Sequence, residues 1–223
     1  MINHEKNWLV FNLQTRKYFE KSFIDVMQSE YSFRDHDFFY KEIYKFDWSE
    51  TGCIYEMSGC KVHDGDIVVD LGANIGLFTQ YAADKASKVI AVEGSPQEFA
   101  CLVRNTIEDY SNIEYINANI VARNSDKHNS YGNNPSKLTI TLYDIFEKYN
   151  IDRINFLKID IEGTEYEIIN DLDDDILSKI DMIAIECHIA NRNNEIYLKL
   201  KDKNSYYFDW QLANSMQKTL YFY

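Results

Sequence analysis

A short apolar run, Asp66 to Leu71 (DIVVDL), passes directly into Asp70-Leu71-Gly72-Ala73-Asn74-Ile75-Gly76, and apolar residues at helical spacing follow. A strand that ends in glycines and turns at once into a helix is the opening of a βα unit. His63-Asp64-Gly65 forms a turn before the strand, and Leu77, Phe78, Tyr81 and Ala82 share one face of a helix from Ile75 to Lys85. The pattern then repeats. Lys88 to Glu93 (KVIAVE) is a second strand, after which Ser95 caps a helix whose first position is Pro96 and which runs to about Tyr110. Ile113 to Ala118 reads as a third strand, Leu142 to Tyr149 as a short helix, and Ile154 to Ile159 as a fourth strand. A helix from Thr164 to about Leu172 and a strand from Met182 to Glu186 come next. Tyr206 to Trp210 and Thr219 to Tyr223 read as an antiparallel pair at a sheet edge. Strands alternating with helices predict an α/β fold with a mostly parallel sheet covered on both faces, over residues 61–223.

Residues 1–60 differ in kind. They are crowded with aromatics, and Phe19, Phe23, Val26 and Met27 fall at helical spacing, which predicts an N-terminal helical extension. The extension is read as a packing element or a lid, and it offers a surface for a homodimer. Residues 123 to 137 are rich in Asn and Ser, hold Gly132 and Pro135, and are read as a loop.

The glycine loop carries the first chemical signal. Glycines let the backbone turn sharply and approach a ligand without a Cβ in the way. About twenty residues on, the next strand ends in Glu93, where a carboxylate can accept two hydrogen bonds from a ribose diol. Dinucleotide-binding enzymes usually show G-x-G-x-x-G, whose helix N-terminus holds a pyrophosphate. Here the spacing is G-x-x-x-G with Asp70 before it, and an acid there repels pyrophosphate but suits an ammonium, such as that of S-adenosylmethionine. The cofactor candidates are therefore Asp70, Gly72, Asn74, Gly76, Glu93 and Ser95, with Ala118 and Asn119 placed to meet an adenine after the third strand. Tyr55 and Glu56 are candidates to close over the methionine end. A structural turn with an incidental acid is the competing interpretation.

Charge narrows the partners. Lys+Arg 23 against Asp+Glu 36 gives a net charge of −13, which disfavours the basic footprint that duplex nucleic acid requires. The first residues are charged with no apolar segment behind them, and no run approaches a membrane span, so no membrane association is expected. Cys53, Cys60, Cys101 and Cys187 are scattered and read as reduced thiols rather than a zinc site. A cytoplasmic protein is the expectation.

The segments VVDLGANIGLFT, VIAVEGSP and LKIDIEGTEYEII resemble those of the FkbM-type methyltransferases, a branch of the class I S-adenosylmethionine enzymes. The resemblance spans roughly residues 54 to 190. It implies a Rossmann-like seven-stranded sheet with an antiparallel edge hairpin. It also implies methyl transfer, usually to a hydroxyl oxygen of a sugar, polyketide or other natural product. Many relatives carry another strand or hairpin between the positions of Ala118 and Leu138, where this chain has the Asn-rich loop.

Methyl transfer from a sulfonium is a displacement in which the protein aligns the acceptor and manages its proton. Asp160 and Glu162 follow the fourth strand at i, i+2 and would project the same way if the extended conformation persists. Glu186 and His188 hold the corresponding place after the fifth main strand. His188 is a candidate general base, and Asp160, Glu162 and His188 together also suit a divalent metal that lowers a hydroxyl pKa. Glu165 opens the next helix and fits a helix-dipole role. The leading expectation is an O-methyltransferase acting on a small-molecule or glycan acceptor. An NAD-linked oxidoreductase and a non-catalytic nucleotide-binding or interaction module are the alternatives.

Overall fold

The computed structural model describes residues 53, 55–56, 59–124, 138–189, 192–202, 205–208 and 218–223. The helix expected around Phe19 to Met27, most of the Asn-rich loop, and Trp210 lie outside the described residues.

The elements in chain order are β1 (Ile67–Leu71), α1 (Leu77–Ala83), β2 (Lys88–Glu93), α2 (Pro96–Thr106), β3 (Ile113–Asn117), β4 (Asn119–Ile120) and β5 (Thr139–Ile140). There follow α3 (Leu142–Tyr149), β6 (Ile154–Ile159), α4 (Glu165–Asp171), α5 (Asp174–Ser178), β7 (Ile180–Cys187), α6 (Asn193–Leu200), β8 (Ser205–Phe208) and β9 (Lys218–Phe222). Seven strands form one sheet in the order β3-β2-β1-β6-β7-β9-β8. The first five are parallel, and β9 runs antiparallel to both β7 and β8. This is the Rossmann-like architecture with an antiparallel edge pair. Among the described residues no helix is long and apolar enough to cross a membrane.

Strand side chains alternate between faces, so a sheet covered on both sides needs two apolar sets with a period of two. Val69, Leu71, Ile90, Val92, Leu157 and Ile159 belong to one buried cluster, packed with Tyr166, Ile168 and Ile169 of α4. Val68, Val89, Ala91 and Phe156 belong to the other, packed with Phe78 of α1 and with Phe99 and Leu102 of α2. The alternation places Asp70 and Lys158 on this second face, and they are direct neighbours in the β1–β6 register.

Local chemistry fixes the ends of the elements. Thr141 and Asp144 form a reciprocal capping box at the start of α3. Ser95 occupies the N-cap of α2 and Pro96 its first turn, but the Ser95 side chain makes no capping bond to the backbone. Its hydroxyl instead donates to the carboxylate of Glu98.

Two differences from the sequence reading bear on the site. The segment after β3 is not loop throughout: β4 pairs in parallel with β5, with Asn119 opposite Thr139 and Ile120 opposite Ile140. Two residues are too few to leave a periodic signature. The strand before Asp160 stops at Ile159, and Glu162 (φ 57) and Gly163 (φ 113) are both left-handed. The extended conformation assumed for the Asp160 and Glu162 spacing therefore does not persist.

Candidate active site

Strand β1 has β2 on one side and β6 on the other, with the connections leaving in opposite directions, and ligands bind beyond the carboxyl ends of strands at such a switch point. A cleft of about 280 Å³ opens there. Gly72, Glu93, Ser95, Ala118 and Asn119 line it on one side and Asp160 and Glu162 on the other.

The glycine loop is shaped by close approach. The Asp160 amide donates to the Leu71 carbonyl at 3.0 Å, so β1 and β6 remain joined to their very ends. Gly72 sits at φ 77, and a Cβ on it would lie 1.7 Å from the Asp160 carbonyl oxygen. Only glycine fits this position. Gly76 is the left-handed N-cap of α1 and packs against Leu102 rather than lining the cleft.

Glu93 ends β2 with both carboxylate oxygens held by backbone. Its Oε2 accepts from the Asn74 amide at 2.8 Å, and its Oε1 accepts from the Ser95 amide at 2.7 Å. Burial raises its pKa, and the two amides work against that rise. Each carboxylate oxygen has a second lone pair, so the group retains capacity for a vicinal diol. Asn74 and Ser95 thus meet in this structure as holders of Glu93 through their main chains. Asn119 lies beside Gly94, where a Cβ would meet its Oδ1 at 2.1 Å.

Asp70 has a different situation from the one the sequence suggested. It is fully buried and does not line the cleft. Its Oδ2 accepts from the Thr79 hydroxyl at 2.6 Å, and its Oδ1 lies 3.1 Å from the Lys158 ammonium. A buried carboxylate without a counter-charge is costly, and Lys158 supplies it. Lys158 also donates to the Gly72 carbonyl at 2.6 Å and reaches Asp160 Oδ2 at 3.6 Å. Burial alone would lower its pKa, but Asp70 and Asp160 raise it. Lys158 was not singled out in the sequence, although a lysine inside the apolar run NFLKI was a readable signal.

Behind Asp160 and Glu162, and not lining the cleft itself, stands His188. Its Nδ1 lies 2.5 Å from Oε1 of Glu165, which is fully buried. Glu165 is thus the partner of the imidazole rather than a group serving the helix dipole alone. The Nε2 faces Glu162 Oε2 at 3.4 Å, Asp160 Oδ1 at 3.6 Å and Glu186 Oε1 at 4.0 Å. Burial opposes the charged imidazole, yet the Glu165 hydrogen bond and the surrounding carboxylates raise its pKa to about 9. On its own in this setting, the ring is therefore charged at neutral pH rather than a ready base. Tyr55 closes the group from behind, donating to Asp160 Oδ2 at 2.7 Å and approaching Glu186 Oε2 at 3.2 Å. Burial and those two charges push its phenol far above the ordinary value, so it stays a proton donor. Burial and Asp160 likewise raise Glu186. Glu56 is not at this mouth; it accepts from Tyr81 and the Val62 amide.

Fold and cleft together define a Rossmann-like α/β chain of the methyltransferase kind. The family model described as Methyltransferase FkbM domain matches residues 70–207, and the chain belongs to that family. Methyltransferase 1 of Beauveria bassiana (strain ARSEF 2860) is 27% identical over 163 residues, covering 55% of this chain and 65% of that one. Ribosomal RNA small subunit methyltransferase A of Alkaliphilus metalliredigens (strain QYMF) is 34% identical over 65 residues, 29% of this chain and 22% of that one. The crystal structure of Methyltransferase FkbM from Methylobacillus flagellatus KT superposes with a TM-score of 0.54 at 21% identity, covering 73% of this chain and 44% of that chain. The matched stretches span less than two thirds of each of these proteins.

Proposed function

We propose that the chain is an S-adenosylmethionine-dependent O-methyltransferase, acting in the cytoplasm on a hydroxyl of a sugar-containing or other small polar metabolite. The observation that carries the reading is Glu93, pinned by two backbone amides at the mouth of the switch-point cleft beside the glycine loop. The donor set fits a nucleoside cofactor. Glu93 would accept the ribose hydroxyls, Asn119 would hydrogen-bond the base, and Val92, Ala118 and Ile120 would supply apolar walls. When bound, the cofactor supplies an electrophilic methyl group on a sulfonium.

The protein's part is to orient the acceptor and receive its proton. Asp160 and Glu162 line the cleft and are the groups for that work, while His188 stands behind them and holds their carboxylates. The carboxylate-rich mouth and the net charge of −13 favour a neutral or cationic acceptor over a polyanion such as duplex nucleic acid.

Calorimetric titration with S-adenosylmethionine, S-adenosylhomocysteine and NAD tests the cofactor. Both sulfur nucleotides should bind, and Glu93→Ala should weaken them about 10- to 150-fold, the equivalent of roughly 1.5–3 kcal/mol for hydrogen bonds to a charged group. Folded protein that binds neither, or that binds NAD equally well, refutes the reading. Cofactor binding without transfer to any hydroxyl acceptor would instead mark a non-catalytic module.

A further inference from the structure

We propose that Asp160, Glu186 and His188 form a divalent-cation site behind the Asp160 side of the cleft, with Glu165 as its outer carboxylate. One ligand atom from each of the three lies within 4.8 Å of the others. This set differs from the Asp160, Glu162 and His188 trio suggested by the sequence, since Glu186 replaces Glu162.

Three features converge on one point in space. The first is the imidazole. Its Nε2 is buried and has no hydrogen-bond partner, while its Nδ1 is fixed by a fully buried carboxylate. A histidine that gives its other nitrogen to a carboxylate is the usual arrangement behind a metal ligand, because it fixes the ring's orientation and leaves the second nitrogen to take an ion in exchange for its proton.

The second is the division of carboxylate oxygens. Tyr55 takes Asp160 Oδ2 and Glu186 Oε2, and Lys158 also lies on the Oδ2 side of Asp160. The oxygens left over, Asp160 Oδ1 and Glu186 Oε1, are the two that face Nε2, at 3.6 and 4.0 Å. In octahedral coordination with bonds of about 2.1 Å, adjacent ligand atoms stand about 3.0 Å apart and opposite ones about 4.2 Å. The observed separations fall between those values.

The third is charge. Asp160, Glu162, Glu165 and Glu186 surround one imidazole, and the ammonium of Lys158, 3.6 Å from Asp160, is committed to Asp70 and the Gly72 carbonyl. A divalent ion would resolve that excess. Two carboxylate oxygens and one imidazole nitrogen suit a first-row divalent ion such as Mn²⁺.

For the transfer itself, the inference rests on the methyltransferase reading. An acceptor hydroxyl oxygen that joins the ion would have its pKa lowered. Its proton would pass to Glu162, whose side chain is 78% exposed and can release it to solvent. The oxygen would form the new bond to the methyl carbon as the carbon–sulfur bond breaks, the electron pair staying on sulfur.

The test is direct binding. Chelator-treated protein is titrated with Mn²⁺, and the free ion is followed by electron paramagnetic resonance. One saturable site per chain is expected, weakened at least tenfold in Glu186→Gln and 10- to 100-fold in Glu165→Gln, which removes only the outer carboxylate charge. Circular dichroism and S-adenosylhomocysteine calorimetry on the same samples report folding and the cofactor end separately. Absence of a saturable site overturns the proposal. So does Mn²⁺ binding that is unchanged in either folded variant, because a chain of net charge −13 gathers cations diffusely. Failure of the methyltransferase reading shows instead as absent S-adenosylhomocysteine binding, whatever the Mn²⁺ titration gives.

Discussion

Replacing Lys158 with Met should destabilise the protein far beyond the loss of one surface charge, and a second substitution should repair most of the damage. Lys158 is 3% exposed and stands 3.1 Å from Asp70, which is fully buried. Without the ammonium, the Thr79 hydroxyl is the one close side-chain partner left to the Asp70 carboxylate among the described residues. Breaking a buried pair by removing one member costs about 3–5 kcal/mol, because the other charge is left uncompensated. Domains unfold at about 5–15 kcal/mol, so the variant should be marginal. Adding Asp70→Asn removes the stranded charge while keeping a group that can bond Thr79. The double variant should then lose only about 1–2 kcal/mol, mainly for the Gly72 carbonyl, which loses its 2.6 Å donor. Urea unfolding of the wild type, both single variants and the double variant closes the cycle. A loss below about 1 kcal/mol in Lys158→Met, or a double variant no more stable than that single, would refute the claim that Lys158 exists to neutralise Asp70.

Two further outcomes follow from backbone and thiol chemistry. Gly72→Ala should cost more than about 3 kcal/mol, since it adds a Cβ 1.7 Å from a main-chain oxygen to the strain of φ 77, whereas Gly65→Ala, at φ 89 with nothing within 4 Å, should cost only about 1–2 kcal/mol. Comparable urea midpoints for the two would show that the loop is free to relax. Burial pushes the Cys60 and Cys187 thiols up to about 12, so at pH 8 both should resist a thiol-reactive disulfide reagent in the native state, and all four cysteines should react in guanidinium. Fast native modification of either buried thiol would contradict its placement in the core.

Much of the fold was legible because its signals are local. The expected spans of β2, α3 and β6 coincide with the observed ones, β1 and β3 differ by a residue at one end, and α4 differs by a residue at each end. Buried parallel strands read as continuous apolar runs, and α3 carries its own capping box. Helices α5 and α6 went unread. The first has five residues, and the second buries little besides Ile196 and Leu200, so neither shows an apolar stripe. The site divides the same way. The glycine loop and Glu93 lie close in sequence and form a recognisable unit. The pairing of Glu165 with His188 joins residues 23 positions apart, and Tyr55 meets Asp160 across 105. Those meetings depend on β6 lying beside β7 and on a segment before β1 reaching over the sheet, neither of which spacing encodes.

The β4–β5 ladder has a consequence for how chains of this fold can diversify. The Asn119 amide donates to the Leu138 carbonyl at 2.9 Å, and the Val121 amide to the Ile140 carbonyl at 2.9 Å. The chain leaving the cofactor wall and the chain returning to α3 are thus clasped at the base. Loop-closure cost grows only with the logarithm of length, about 0.6 kcal/mol per doubling. Whatever is spliced between the two clasped ends can therefore be lengthened, shortened or exchanged while Asn119 stays fixed at the cleft. The clasp works as a socket: the cleft side stays constant while the segment plugged into it is free to change in length and composition.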